Sequence, residues 1–165
     1  MSKVTEKQLD KALQTAFSFP EFANWFLSKT KFHSSDAAYR WSRSDHPWSM
    51  VPLTLINTDT GASEEITKGS ETDVLVIFEN SAGKTIALHI ENKLRRGKFT
   101  PLQPEFYRKR AQQWLHNPKY GSYSDYEIVL TAPQEFYDRN QEECKKFPCF
   151  ISHEDIAAHL PGFGA

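Results

Sequence analysis

The chain has 165 residues, of which 39% are hydrophobic, 25% charged and 13% aromatic, values typical of one folded domain. Its formal net charge is −1, which excludes a polycation that binds nucleic acid through total charge alone. No run of about 18 apolar residues and no signal-peptide core is found. We therefore expect a single domain over residues 1–165, located in the cytoplasm and without a membrane partner.

Two helices are predicted at the start of the chain. Thr5 and Gln8 fit a capping box, and apolar residues then recur at helical spacing up to Phe17. A second helix is predicted to begin at Ser18, with Pro20 in its first turn. Each helix would pack one apolar stripe against the rest of the domain.

The segment 33–49 is aromatic and polar, and a strand-like segment follows it. Tyr39 and Trp41 alternate with polar residues as in a short strand, and residues 44–47 have the composition of a turn. Residues 50–57 predict another strand, which Pro52 would place at a sheet edge, and residues 57–69 predict a polar loop.

Three basic side chains of this segment have two interpretations. Arg40 and Arg43 stand among aromatic residues, as in surfaces that stack bases and hold phosphates, but the rings are also explained by packing. His46 has the ordinary pKa of a general base, but a histidine before proline in a turn is also a common structural residue.

The most informative pattern is a pair of β-rich runs, residues 73–78 and 85–90, around a turn at residues 80–83. A hairpin centred on Ala82 places Asp73 opposite Glu91, and Lys93 projects from the same face. Both runs are nearly continuous hydrophobic sequences, which favours a central strand pair covered on both faces. Two carboxylates and an ammonium group indicate a Mg²⁺ site for phosphodiester hydrolysis, whereas the alternative is a surface ion pair.

These residues resemble the PD-(D/E)XK nuclease superfamily, whose members have the restriction-endonuclease-like fold. The resemblance rests on Asp73 at the start of one strand and on the E-x-K element Glu91-Asn92-Lys93 at the end of the next. Gln103 and Tyr107 resemble the Gln-x-x-x-Tyr element that some branches carry on the following helix. Thr72 replaces the proline of the motif, at a position that varies in the superfamily.

The resemblance implies an α/β fold, with a mixed central β-sheet flanked by α-helices, and a metal-dependent nuclease activity. Asp73, Glu91 and the backbone of Asn92 would bind Mg²⁺, with Mn²⁺ as a substitute. Lys93 would be the catalytic lysine and Gln103 a supporting site residue. DNA is favoured over RNA on this ground alone. Two further carboxylates remain open as additional ligands: Glu21, which a helix cap also explains, and Glu71.

A basic strip follows the proposed site. Residues 93–110 contain seven lysines and arginines against one glutamate, which suits a phosphodiester backbone but also fits a solvated helix face. The candidate substrate-binding residues are Arg95, Arg96, Lys98, Tyr107, Arg108 and Arg110.

The rest of the chain predicts alternating elements. Gln103 is expected to cap a helix that extends to about His116, and residues 126–132 and 147–151 predict strands. Ser152 is expected to cap a last helix. This order suits a mixed sheet between helices.

Three functions remain as hypotheses. The first is a metal-dependent nuclease, for which sequence specificity would require a homodimer or a partner protein, because the domain is small. The second is a non-catalytic module that binds nucleic acid or protein with the same fold. The third is an unrelated interaction protein, in which Asp73 and Glu91 would lie on opposite faces of the hairpin.

Overall fold

The computed structural model describes residues 3–164 and shows an α/β domain built on a five-stranded mixed sheet. The helices are α1 Glu6–Ala16, α2 Pro20–Ser28, α3 Gln103–Gln113, α4 Gln134–Arg139, α5 Gln141–Cys144 and α6 His153–His159. The strands are β1 Ala38–Arg43, β2 Trp48–Ile56, β3 Ser63–Glu71, β4 Val74–Glu79, β5 Thr85–Asn92, β6 Asp125–Ala132 and β7 Cys149–Ser152.

The central sheet has the strand order β1-β4-β5-β6-β7. The β1–β4 and β4–β5 pairs are antiparallel, whereas β5, β6 and β7 run parallel. The carboxyl ends of the three parallel strands therefore meet at one edge, where binding sites of α/β sheets commonly form. Asn92, Ala132 and Ser152 are the last residues of these strands.

The hairpin has the register that the sequence predicts. Val74 pairs with Ile90, and continuing this register by one residue places Asp73 opposite Glu91. Even-numbered residues of β4 face α1 and α2, whereas Leu75 and Ile77 face the side of the sheet covered by Trp114. Burial on both faces explains why the two strands are continuous hydrophobic runs.

The capping box at the start of α1 is confirmed, and it gives a stability prediction. Thr5 accepts a hydrogen bond from the backbone N–H of Gln8 at 3.2 Å, and Gln8 Oε1 accepts one from Thr5 N at 2.8 Å. Thr5→Ala is expected to lower the free energy of unfolding by about 1 kcal/mol in urea titrations. Ser18 does not cap α2, whose N-cap is Phe19, but its hydroxyl donates to the carbonyl of Thr15 at 2.6 Å. The control is therefore Thr58→Ala, because Thr58 is exposed and its side chain makes no hydrogen bond within residues 3–164. An equal loss in both variants would contradict this assignment.

Other predictions of local structure require correction. Residues 63–69 of the predicted loop belong to strand β3, which forms a separate two-stranded sheet with β2. One face of this strand is exposed and polar, and Ile66 is its only large apolar residue. The sequence pattern of a strand is therefore weak here. The N-cap of α3 is Leu102 at a φ of 61°, Gln103 is the first helical residue, and the helix ends at Gln113. The sequence also did not predict α4, although its Phe136 is fully buried.

The cap of the last helix is confirmed, since Ser152 accepts a hydrogen bond from the backbone N–H of Asp155 at 3.0 Å. No helix among residues 3–164 has both the length and the apolar character needed to cross a bilayer.

Candidate active site

Asp73 and Glu91 lie at the carboxyl edge of the central sheet and are almost fully buried. Their exposed fractions are 7% and 3%. Asp73 Oδ2 accepts a hydrogen bond from the backbone N–H of Asn92 at 2.9 Å, which ties the start of β4 to the end of β5. The charge of Glu91 acts on the carboxyl group of Asp73. Burial, followed by the charge of Glu91, raises the pKa of Asp73 well above its ordinary value.

Lys93 and Gln103 both bind the same oxygen of Glu91. Lys93 Nζ lies 3.1 Å from Glu91 Oε1, and Gln103 Nε2 donates to that oxygen at 2.9 Å. Lys93 Nζ also donates to the carbonyl of Lys98 at 2.8 Å. Burial raises the pKa of Glu91, although the positive charge of Lys93 opposes this effect. The structure therefore brings Glu91, Lys93 and Gln103 into contact, and the register of the hairpin places Asp73 opposite Glu91.

Asp73 Oδ1 accepts no hydrogen bond from residues 3–164, and His46 Nε2 lies 3.9 Å from it. Glu91 is held by Lys93 and Gln103, and a hydrogen bond with Tyr107 also acts on its carboxyl group. Carboxylate oxygens are the ligands that a hard divalent cation uses. Asp73 therefore offers an oxygen that fits such a cation.

Asp10 on α1 is a third buried carboxylate at this edge, and the sequence did not identify it. It is fully buried, and its Oδ1 accepts a hydrogen bond from Asn92 Nδ2 at 3.0 Å. Burial raises the pKa of Asp10, although hydrogen bonds from Asn92 and His46 oppose the shift. In the sequence, nothing distinguishes this aspartate from the solvated charged residues of α1, although it stands beside Leu9.

His46 connects this carboxylate to Asp73. Its Nε2 lies 2.9 Å from Asp10 Oδ2 and 3.9 Å from Asp73 Oδ1, and one donor atom of each of these three residues lies within 4.8 Å of the others. On the other side of the ring, Nδ1 lies 3.1 Å from Glu71 Oε1. Burial lowers the pKa of His46, but the hydrogen bonds to Asp10 and Glu71 outweigh it and the net pKa is raised.

His46 lies between two carboxylates, with Asp10 at Nε2 and Glu71 at Nδ1. A metal-bound histidine usually donates its second ring N–H to a carboxylate, which fixes the tautomer and the ring orientation. Glu71 occupies that position, so its relation to the site is indirect, through His46. Glu21, the other carboxylate left open, is exposed in the first turn of α2.

Tyr107 and Arg110, which we expected to contact substrate, lie beneath the site. Tyr107 is 1% exposed, accepts a hydrogen bond from the backbone N–H of Asp73 at 3.0 Å, and donates to the carbonyl of Ile90 at 3.2 Å. Arg110 is fully buried, with its guanidinium 4.1 Å from the ring centre of Tyr107. These residues support the site and offer no surface to a ligand.

A chain of hydrogen bonds extends from Arg110 under the sheet edge. Arg110 Nε donates to Thr72 Oγ1 at 2.9 Å, and that hydroxyl lies 2.9 Å from His89 Nδ1. His89 Nε2 lies 3.0 Å from the hydroxyl of Tyr123, which donates to the carbonyl of Ala111. Because Thr72 precedes Asp73, this network fixes the backbone at Asp73. It also gives the buried hydroxyl of Thr72 two polar partners.

The remaining basic residues are exposed, as expected of a substrate-binding strip. They are Arg95, Arg96, Lys98 and Arg108. Two of them already have partners: Arg95 pairs with Glu135 at 2.6 Å, and Arg108 donates to the carbonyl of Lys146 at 3.0 Å. Their contact with substrate stays a prediction.

Comparison of the chain with protein families, with curated proteins and with solved structures found no match. The functional argument therefore depends on the site itself.

Proposed function

We propose that the protein is a metal-dependent nuclease that hydrolyses phosphodiester bonds of nucleic acid, DNA more readily than RNA. The observation that carries the proposal is the excess of buried negative charge at one sheet edge. Three buried carboxylates, Asp10, Asp73 and Glu91, lie at this edge; Lys93 is paired with Glu91, and the imidazole of His46 contacts Asp10. Buried charges are normally paired or bound to a metal. Burial raises the pKa of all three carboxyl groups, and a bound cation would oppose that shift.

Asp73 and Glu91 are the proposed principal ligands, with the backbone of Asn92 and with Asp10 and His46 beside them. The fold expected from the resemblance, a restriction-endonuclease-like sheet, is part of this proposal. A divalent cation bound there would supply Lewis-acid activation of the scissile phosphate and of water.

The side chains of the protein have separate roles around that centre. Lys93 is held by Glu91 and by the Lys98 carbonyl, so its ammonium group has a fixed position from which to orient the attacking water and stabilise developing negative charge. Gln103 bridges Glu91 and the backbone N–H of Thr100, and thereby fixes the Glu91 carboxylate. Tyr107 fixes the backbone at Asp73.

The proposal is tested with plasmid and labelled single-strand substrates in Mg²⁺, Mn²⁺ or EDTA. We expect cleavage with either cation and none in EDTA. Binding of nucleic acid without cleavage under every condition would favour the second hypothesis, a non-catalytic module.

His46 gives a prediction about the metal. Imidazole suits transition metals better than Mg²⁺, so Mn²⁺ is expected to activate at lower concentration than Mg²⁺. Glu71→Gln, which weakens the support of the ring, is expected to raise the Mn²⁺ concentration for half-activation about 10–100-fold. Glu64→Gln, an exposed carboxylate on the same strand, is the matched control. Identical Mn²⁺ activation curves for the two variants would remove His46 from the metal site.

A further inference from the structure

The separate β2–β3 sheet carries an exposed tryptophan beside the candidate active site. Trp48 begins β2, is 61% exposed and pairs with Glu71 across the hairpin. Glu71 contacts His46, and Trp48 and His46 line the same depression. A large aromatic side chain exposed at such a place suggests a ligand contact.

Trp48 forms the boundary between two depressions. A cleft of about 480 Å³ on one side is also lined by Lys68, Ser70 and Gln103. A smaller depression of about 250 Å³ on the other side is lined by His46 and Lys119. Both are continuous with the candidate site, the first through Gln103 and the second through His46. A ligand crossing Trp48 would therefore reach both sides of the metal position.

The side chains that line the two depressions include three lysines and arginines, Lys68, Arg43 and Lys119, against two carboxylates, Glu71 and Asp45, and Asp45 is paired with Arg43. Lys68 and Lys119 form no ion pair with any residue from 3 to 164, and each lies over an aromatic ring, Phe106 and Tyr120 respectively. Glu71 is engaged by His46. Below the cleft, buried Arg110 donates to Ser70 and its Nη2 has no hydrogen-bond partner within the described part of the chain.

We propose that Trp48 is a stacking platform for an unpaired base, with Lys68 and Lys119 holding the phosphates on its two sides. A base in a duplex has both faces covered, so a platform of this kind selects single strands or single-stranded ends. An aromatic ring flanked by cations is the combination by which proteins hold single-stranded nucleic acid. This inference rests on the proposed nuclease function and assigns it a substrate class.

Binding is measured by fluorescence anisotropy with a labelled thymidine strand and with a blunt duplex of equal length. The protein carries Lys93→Gln to suppress cleavage, and Mn²⁺ is present. We expect tighter binding of the single strand than of the duplex. When Trp48→Ala is added to the Lys93→Gln protein, single-strand binding is expected to weaken about tenfold. Trp48→Phe in the same background should bind about as tightly as Lys93→Gln alone. Lys68→Gln and Lys119→Gln should each reduce the salt slope of log K by about 0.7.

The control is Ile56→Ala, because Ile56 is 69% exposed on the same face of β2 but lies about 26 Å along the strand from Trp48. It should bind like the parent. The inference is wrong if Trp48→Ala leaves single-strand binding unchanged or weakens strand and duplex binding equally. It is also wrong if the Lys93→Gln protein binds duplex more tightly than single strand. Metal-dependent cleavage by the wild type would then leave the nuclease proposal standing. If the wild type neither binds nor cleaves nucleic acid, both the nuclease proposal and the Trp48 inference are wrong.

Discussion

Asp73→Asn is expected to raise the melting temperature of the metal-free protein while abolishing cleavage. The Asp73 carboxylate is destabilised in the folded state by burial and by the charge of Glu91, as its raised pKa shows. Asparagine removes that charge and retains an oxygen for the backbone N–H of Asn92. A rise of a few degrees is expected, since about 1 kcal/mol corresponds to roughly 2–4 °C in a domain of this size.

The pH dependence of this effect follows from the direction of the shift. A carboxyl group whose pKa is raised by folding contributes its stability at low pH, and the contribution is lost as pH rises through the raised pKa. In EDTA, the wild type should therefore approach the variant near pH 4 and fall increasingly below it towards neutral pH. Thermal melts of both proteins across this range measure the difference.

Metal reverses the order of stability. A cation that binds the folded wild type at a hundredfold excess over its Kd would add about 2.7 kcal/mol, whereas the variant has lost a ligand and should gain much less. Glu64→Gln, which alters an exposed carboxylate, should behave as the wild type in both conditions. A lower melting temperature for Asp73→Asn in EDTA, together with an undiminished response to Mn²⁺, would contradict the assignment of Asp73.

Lys93→Gln is expected to reduce cleavage about 10²–10³-fold, the usual loss when one preorganised electrostatic donor is removed. Glutamine can still donate to Glu91 but carries no charge. The increase in melting temperature on adding Mn²⁺ should be retained, because Lys93 is not a ligand. Single-turnover cleavage rates and thermal melts together separate catalysis from metal binding.

The variant should also show an altered pH profile. The charge of Lys93 opposes the rise in the pKa of Glu91, so its removal raises that pKa further. Residual activity should therefore move to higher pH, where Glu91 is ionised. Lys84→Gln, at the turn end of the same hairpin, is the control and should keep the wild-type rate. Wild-type cleavage by Lys93→Gln would exclude the catalytic role.

The hairpin was predictable because its signals are local. The turn at residues 80–83, the hydrophobic runs on each side of it and the two-residue period of strands together determine the register. From the register, the meeting of Asp73, Glu91 and Lys93 follows without knowledge of the rest of the fold. Gln103 joins them because its helix begins soon after β5.

Asp10, His46 and β3 depend on tertiary contacts that a sequence pattern does not contain. Asp10 reaches the site through Asn92, 82 residues later in the chain. His46 sits in a turn with a positive φ of 53° and is placed by Asp10 and Glu71 together. The polar strand β3 exists because it pairs with β2, which its own composition does not indicate.

The burial of Arg110 was also beyond sequence reasoning. A basic residue near the end of a basic strip resembles its solvated neighbours, yet Arg110 points inward at helical spacing from Tyr107. Its guanidinium then packs on that ring and bonds to Thr72. Charge counts along a helix therefore identify a surface only after its buried face is known.

We propose that the Asp73–Glu91 edge binds a cation and hydrolyses nucleic acid, and a comparison of wild type with Glu91→Gln tests this. A labelled DNA strand is incubated with each protein in Mn²⁺ and in EDTA, and cleavage products are resolved on a gel. We expect cleavage by the wild type in Mn²⁺ alone and at least about a hundredfold slower cleavage by Glu91→Gln, with folding retained. Equal cleavage by the two proteins, or cleavage that persists in EDTA, would contradict it.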